Sequence, residues 1–235
     1  MKIERVECIP MVYHMEHPIY SGTGRCDARQ LLLVRIYADN GMVGLGEAAP
    51  YGGPVQTTQE VIEREIAPML IGEDPANTER IWHKCYYTHF QHARGGIFIS
   101  ALSGVDIALW DLKGKIAGMP LYKMLGGFRN QIPVYGSGGF YKEGEGIDEL
   151  VKEAESYANQ GLHGVKIKVA RTCSPFSLRV FNHDINCKMV TLEEDIERVA
   201  AVKHALGKDC PLMLDANTNW DYHTALEAGR AFDKI

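Results

Sequence analysis

Two lysines stand one residue apart in the short segment Gly164-Val165-Lys166-Ile167-Lys168-Val169, which is predicted to be a strand. Side chains alternate across a strand, so Lys166 and Lys168 point to the same face. Both faces of a parallel sheet are normally covered, and a buried ammonium group is costly unless it meets negative charge or its pKa falls. The pattern therefore favours a functional pair of amines over an edge strand with one solvated face.

A carboxylate and an amide follow the next predicted strand. The apolar run 212–214 ends in Asp215-Ala216-Asn217, so Asp215 and Asn217 share a face at the carboxyl end of that strand. An isolated aspartate in this place is often only a helix cap, but barrel enzymes place their catalytic groups at this end of their strands. One carboxylate, one amide and two amines in one pocket suit a metal-assisted reaction on an anionic substrate.

The elements that position these groups alternate between short apolar strands and helices. The strands are predicted at 132–136, 163–169 and 211–215, and the helices at 147–160, 192–206 and 222–233. Thr191 and Glu194 have the spacing of a capping box at the start of the second helix. This alternation predicts parallel βα units, in an open doubly wound sheet or in part of a (β/α)₈ barrel.

Residues 1–125 have a different pattern, with several strands followed by several helices, which predicts a separate α+β domain. Strands are expected at 2–13, 31–38 and 42–48, with a turn at Asp39-Asn40-Gly41 and a polar, mobile loop at 14–29. Helices are expected from a capping box at Thr57 to about residue 70, from near Asn77, and over 97–117. The run Gly44-x-Gly46-x-x-Ala49 has dinucleotide-fingerprint spacing, but it ends a hairpin and is not expected to bind a nucleotide.

Composition narrows the function classes. The chain has 235 residues, of which 25 are basic and 30 acidic, and 46% are hydrophobic. A net charge of −5 argues against a nucleic-acid partner, and no apolar run is long enough to cross a membrane. The amino-terminal residues do not have the pattern of a targeting peptide, and the six scattered cysteines indicate reduced thiols in the cytoplasm. Cys173, His183 and Cys187 match no standard zinc spacing.

Three further segments carry recognisable motifs: the hairpin end at 44–48, the helical run at 101–115 and Pro120-Leu121-Tyr122-x-x-Leu125-Gly126-Gly127. Together with the Lys-x-Lys and Asp-x-Asn segments they resemble the enolase superfamily, and within it the mandelate racemase/muconate lactonizing enzyme family, whose capping domain the three segments resemble. The Lys-x-Lys and Asp-x-Asn segments resemble its second and third barrel strands. The resemblance implies an α/β fold with an α+β capping domain at 1–125. Residues 126–235 would form a partial TIM-type (β/α)₇β barrel, truncated after about three βα units.

The resemblance also implies a reaction. The family abstracts the proton α to a carboxylate and stabilises an enediolate with Mg²⁺, as in acid-sugar dehydratases, cycloisomerases and racemases. Lys168 would be the general base, Lys166 would neutralise the substrate carboxylate, Asp215 would bind the metal and Asn217 would hydrogen-bond the substrate. A C–H group beside a carboxylate is a very weak acid, so positive charge must stabilise the dianion that forms.

By the same resemblance, the segments 14–29 and 47–57 select the substrate, with Arg25, Tyr51 and His17 as candidate binding residues. The partner would be a small carboxylate, either a hydroxy acid or an acid sugar, and the protein would be a symmetric homo-oligomer. A long connection at 170–190 stands where the family turns quickly from strand to helix. It either adds side chains such as Arg171, Arg179 and His183 to the pocket or is only decorative.

Alternatives remain at this stage. The family's other metal ligands and its opposite-face acid or base would follow Ile235, so complete activity is expected to need residues beyond 235. The chain would otherwise be a catalytically incomplete fragment that acts only as a binding or assembly module. A Schiff-base aldolase with Lys166 or Lys168 as nucleophile is a third hypothesis, which leaves Asp215 and Asn217 without a clear role.

Overall fold

The structure, a computed structural model, describes residues 1–50, 53–171 and 190–235. Its Cα packing divides the chain into two compact units. The first contains Met1–His14 and Ala28–Asn130, and the second contains Met15–Asp27 and Gln131–Ile235. The division into domains at 125/126 stays a prediction. The observed units depart from it at 15–27 and 126–130.

Three strands of a four-stranded sheet lie in the first unit except at residues 15–27, and their order is β3-β2-β1. They are β1 (Ile3–Ser21), β2 (Gly24–Ala38) and β3 (Val43–Ala48). The predicted hairpin is confirmed, because β2 and β3 pair antiparallel with Leu32 opposite Ala48. Every second side chain towards the end of β2 is buried, as a strand with one covered face requires; these are Leu32, Val34, Ile36 and Ala38.

Helices cover the rest of the first unit. They are α1 (Val55–Val61), a π-helical turn (Ile62–Ile66), α2 (Ala67–Leu70), α3 (Thr78–Thr88), α4 (Gly96–Ile116) and α5 (Leu121–Met124). The predicted capping box at Thr57 is wrong, because α1 begins at Val55, directly after Pro54. Proline presets the backbone at a helix start, and the free N–H of Val55 donates to Gln30 Oε1 at 2.8 Å.

The close contact between α4 and β3 explains the glycine spacing near residue 45. A Cβ atom on Gly46 would lie 2.1 Å from the carbonyl oxygen of Gly104, and one on Gly44 would lie 2.1 Å from that of Ala108. A Cβ atom on Gly104 would in turn lie 2.6 Å from the Cβ of Ala48. These glycines therefore allow the helix and the strand to meet at backbone distance.

The second unit has a parallel sheet with the strand order β4-β6-β7. Its strands are β4 (Gly136–Gly138), β5 (Tyr141–Lys142), β6 (Val165–Lys168) and β7 (Leu212–Asp215), and its helices are α6 (Ile147–Asn159), α7 (Leu192–Leu206) and α8 (Tyr222–Phe232). β6 is the central strand of the three, which confirms the prediction that the Lys-x-Lys segment is internal. The capping box of Thr191 with Glu194 at the start of α7 is also confirmed.

Two predictions about this unit are wrong. The strand expected at 132–136 lies at Gly136–Gly138, and Pro133, which has no N–H for a sheet ladder, precedes it. The loop expected at 14–29 is instead extended, because β1 and β2 continue through most of it. The end of β1 pairs with β5, with Ile19 opposite Lys142 and Tyr20 opposite Tyr141.

No helix in the described ranges is both long enough and apolar enough to cross a membrane. The barrel truncated after about three βα units stays a prediction.

Candidate active site

The register of β6 and β7 brings three of the predicted site residues together. Lys168 stands opposite Asp215 in the parallel ladder. The Lys168 ammonium donates to Asp215 Oδ2 at 2.6 Å, and the Lys166 Nζ lies 3.4 Å from the same oxygen. The two lysines therefore share one face, as alternation along the strand predicts, and both contact the carboxylate on the next strand.

These three groups differ in burial. The side chain of Lys168 is 9% exposed, whereas those of Lys166 and Asp215 are 23% and 27% exposed. Lys168 is thus the most enclosed of the three charges.

Burial disfavours the charged forms of these groups, but hydrogen bonds and neighbouring charges favour them more strongly. Burial would raise the pKa of Asp215, but hydrogen bonds from Lys168 and from the Asn217 N–H outweigh it and lower that pKa. Burial would likewise lower the pKa of Lys166, but interactions with Tyr135 and Asp215 outweigh it and raise that pKa. Both pKa shifts show that the charged forms are favoured, so these three groups form an ion-paired cluster.

Two aromatic residues that no sequence motif indicated flank the lysines. Lys166 Nζ lies 5.2 Å from the ring centre of Tyr135 and 3.4 Å from its hydroxyl oxygen. Lys168 Nζ lies 5.2 Å from the ring centre of Phe140. Tyr135 precedes β4 and Phe140 follows it, and β4 pairs with β6. Once that pairing is known, the two rings are expected beside the lysines; the sequence alone gives no such signal.

A tight turn after β7 orients Asp215 and Asn217. The N–H of Asn217 donates to Asp215 Oδ1 at 3.0 Å, and Asn217 and Thr218 have positive φ angles of 46° and 64°. The side-chain oxygen of Asn217 is buried and has no hydrogen-bond partner in the described part of the chain. A buried carbonyl oxygen that lacks a donor is costly, so this amide is suited to accept a hydrogen bond from a bound molecule.

The structure does not join the other predicted binding residues to this cluster. Arg25 is exposed and lies 3.7 Å from Asp27, and His17 is exposed. Within the described ranges, neither residue makes a hydrogen bond or an ion pair with the two lysines or Asp215. Tyr51 lies outside the described residues.

Most of the long connection after β6 also lies outside the described residues. Arg179, His183 and the cysteines at 173 and 187 belong to it. Arg171 is described: its guanidinium is buried and lies 3.8 Å from the ring centre of Tyr20. It therefore contacts β1 near the carboxyl end of that strand, and among the described residues it makes no contact with Asp215.

Asp215 is the candidate magnesium ligand of this cluster. Mg²⁺ prefers carboxylate oxygen ligands, and each Asp215 oxygen accepts a hydrogen bond, from Lys168 or from the Asn217 N–H, and keeps a lone pair for a metal ion. Within the described residues, no group of three or more His, Cys, Asp and Glu side chains could hold a metal ion. These residues therefore supply one candidate ligand and fall short of a complete magnesium site.

Sequence comparison gives two family matches. The family described as mandelate racemase / muconate lactonizing enzyme, N-terminal domain, matches residues 5–126, and the one described as enolase C-terminal domain-like matches residues 149–235. The arabinonate dehydratase of Saccharolobus solfataricus is 34% identical over 88% of this chain and 50% of the relative. The D-galactarolactone cycloisomerase of Agrobacterium fabrum is 33% identical over 97% of this chain and 55% of the relative. The chain thus spans about half the length of these curated relatives.

Solved structures agree with this result. A racemase from Streptomyces coelicolor A3(2), described with bound magnesium, superposes with a TM-score of 0.85 at 30% identity, over 99% of this chain and 60% of that one. A mandelate racemase/muconate lactonizing enzyme-like protein from Rubrobacter xylanophilus superposes with a TM-score of 0.83 at 30% identity, over 100% of this chain and 58% of that one. The α/β fold with an N-terminal capping domain is therefore shared with these proteins.

Proposed function

Because this chain belongs to the mandelate racemase / muconate lactonizing enzyme family of the enolase superfamily, we propose that it removes the proton α to the carboxylate of an acid sugar or hydroxy acid. The relatives named above are an arabinonate dehydratase and a D-galactarolactone cycloisomerase. One observation carries the proposal: Lys166, Lys168 and Asp215 converge at the carboxyl ends of β6 and β7.

In the proposed step, Lys168 is the base. The α C–H bond of the substrate breaks, its electron pair moves into the carboxylate to form an enediolate, and the proton passes to the neutral Nζ of Lys168. Lys168 must first release one proton to solvent, because an ammonium group has no free electron pair. Lys166 stays protonated and stabilises the negative charge of the enediolate.

The remaining roles concern binding. Mg²⁺ bound with Asp215 as one ligand would supply further positive charge for the enediolate. The Asn217 amide would accept a hydrogen bond from the substrate, and Arg25, Tyr51 and His17 remain candidates for substrate selection. We place the reaction among lyases and isomerases of carbohydrate acid catabolism, in a cytoplasmic homo-oligomer.

Solvent exchange tests this proposal directly. The protein is incubated in D₂O with Mg²⁺ and a panel of aldonates and aldarates, and deuterium at the α carbon is followed by proton NMR. Replacement of a general base removes most of the rate, so Lys168→Met is expected to reduce exchange by about 10²–10⁴-fold. Lys166→Met is expected to reduce it less. Lys152→Met, on an exposed position of α6, is the control and should match the parent protein.

The same experiment separates the alternatives. Absence of exchange across the panel, with carboxylate binding still measurable by calorimetry, would favour a binding module. Covalent trapping of Lys166 or Lys168 by borohydride with a carbonyl substrate would favour Schiff-base chemistry. Full exchange by Lys168→Met would show that another group is the base.

A further inference from the structure

The backbone just beyond Lys168 has an unusual conformation. Ala170, two residues later, has a φ angle of +69° and is completely buried. A residue with a Cβ atom rarely adopts this conformation, and it persists only where the surroundings hold it in place. The contacts of Ala170 therefore show what fixes the end of β6.

The N–H of Ala170 is held from α7. It donates to Asp195 Oδ2 at 2.7 Å, and Asp195 is 0% exposed. The other oxygen of this carboxylate accepts a hydrogen bond from the Tyr141 hydroxyl at 2.5 Å. The Tyr141 hydroxyl accepts in turn from the N–H of Arg171 at 3.3 Å. Two successive backbone N–H groups are thus fixed by one buried pair of side chains.

The carbonyl of Ala170 is held from the segment that follows β7. The side-chain amide of Asn219 donates to it, and Asn219 is only 5% exposed. Asn219 follows Asp215 by four residues, and its N–H donates to the carbonyl of Ala216 at 3.1 Å. Through Ala170, Asn219 ties the end of the strand that carries Lys168 to the turn after Asp215.

The turn between β1 and β2 packs against the same backbone. A Cβ atom on Gly22 would lie 2.5 Å from the carbonyl oxygen of Ala216, 2.9 Å from the Asn219 Cβ and 3.3 Å from the carbonyl oxygen of Ala170. Only glycine allows this approach, so movement at Ala170 would also displace Gly22.

We propose that Asn219, Asp195 and Tyr141 are positioning residues that hold Lys168 and Asp215 at their observed separation by fixing the backbone of Ala170. Their hydrogen bonds described above go to the backbone of Ala170 and Arg171, so the positioning acts through the backbone. What Lys168 then does in catalysis rests on the function proposed above, whereas the geometry itself does not.

The first test needs no activity. The rate at which an amine-acylating reagent modifies each lysine of the folded protein is measured by mass spectrometry. The hydrogen bonds of Asn219, Asp195 and Tyr141 to the backbone at Ala170 and Arg171 form a clamp with two sides. Loss of one side in Asn219→Ala, or of the other in Tyr141→Phe, is expected to expose Lys168 and to accelerate its modification several-fold. Lys142 of β5 is the internal reference, and Asn159→Ala, at an exposed end of α6, is the matched control. Unchanged modification of Lys168 in both folded variants overturns the proposal.

The second test uses the α-proton exchange reaction. Misplacement of a catalytic group by about 1 Å costs on the order of 100-fold, so each variant is expected to lower kcat by about 10- to 100-fold while KM changes little. The double variant should lose less than the product of the two single losses, because both act on Ala170. Strictly multiplicative losses, or loss confined to KM, contradict the proposal.

The two tests distinguish failure of the positioning role from failure of the proposed function. If the parent protein exchanges no α proton and Lys168 still becomes accessible in the variants, the proposed function fails and the positioning role stands. If exchange is normal in both variants, the positioning role fails and the proposed function stands. If one variant does not fold, the other removes the opposite side of the clamp and gives the same answer.

Discussion

Each unit contains a junction at backbone distance, and the two junctions differ in the polarity of the residues that form them. In the first unit, α4 meets β3 through Gly46 and Gly104, and the surrounding core is apolar. In the second unit, the ends of β6 and β7 meet around Ala170, where a buried carboxylate, a buried amide and a positive φ angle coincide.

The difference shows what each junction contributes. Apolar packing stabilises the fold without burying polar side chains. The α4–β3 junction therefore requires only that no Cβ atom blocks the approach of the two backbones. Burial of Asp195 and the conformation of Ala170 both cost free energy. Such costs are typical of functional sites, and here they accompany the exact placement of Lys168 beside Asp215.

Among the variants that compare the two junctions, Gly104→Ala is expected to have the largest effect on the free energy of unfolding. A Cβ atom at this position meets Ala48 at 2.6 Å, and both elements are fixed by the core. Overpacking of this kind should lower the free energy of unfolding by about 2–3 kcal/mol, measured by urea denaturation. A loss below about 0.5 kcal/mol would show that α4 can move away from β3 at little cost.

Asp195→Asn should change how stability depends on pH. Burial raises the pKa of Asp195, although its hydrogen bond from Tyr141 opposes this. A carboxyl whose pKa is higher in the folded protein makes that protein less stable as the pH rises from the unfolded pKa to the folded pKa.

The stability of the parent relative to Asp195→Asn should therefore fall as the pH rises above about 3.9, by up to about 1.4 kcal/mol per pH unit within that window. Urea denaturation between acid and neutral pH measures it. Asp148→Asn, at an exposed position in the first turn of α6, is the control. A difference that rises with pH would contradict the expectation.

Helix caps allow a smaller comparison between the units. The Thr191 hydroxyl accepts a hydrogen bond from the Glu194 N–H at 3.2 Å at the start of α7, whereas Asn77 makes no side-chain cap bond at the start of α3. Thr191→Ala should cost about 1 kcal/mol, and Asn77→Ala clearly less. Thermal denaturation monitored by circular dichroism measures both. Equal losses would mean that the Thr191 cap adds nothing in this context.

The smallest effect is expected at Gly229, which matches Gly104 in residue type and helical conformation. No atom lies within 4 Å of a Cβ placed on Gly229, and the residue is exposed on α8. Gly229→Ala should therefore stabilise the protein, by about 0.5 kcal/mol, because alanine favours the helix. The opposite sign at the two glycines is the result to check. Destabilisation at Gly229 would show that the helix has a neighbour there.

Periodicity in the sequence was sufficient to find most elements. The predicted helix 192–206 is the observed α7, and 97–117 differs from α4 by one residue at each end. Alternation also placed Lys166 and Lys168 on one face correctly. Local preferences failed at 14–29, where polar residues and glycines indicated a loop, because one strand partner of that segment, β5, lies more than a hundred residues away.

The amino-acid sequence by itself determined which chemical groups stand at the ends of β6 and β7, since side-chain alternation and strand period are local properties of the chain. Only the tertiary structure decided their separation, the rings of Tyr135 and Phe140 beside the lysines, and the clamp on Ala170. These depend on register between strands and on the packing of α7. Contacts between residues distant in sequence decide both, and no local pattern encodes them.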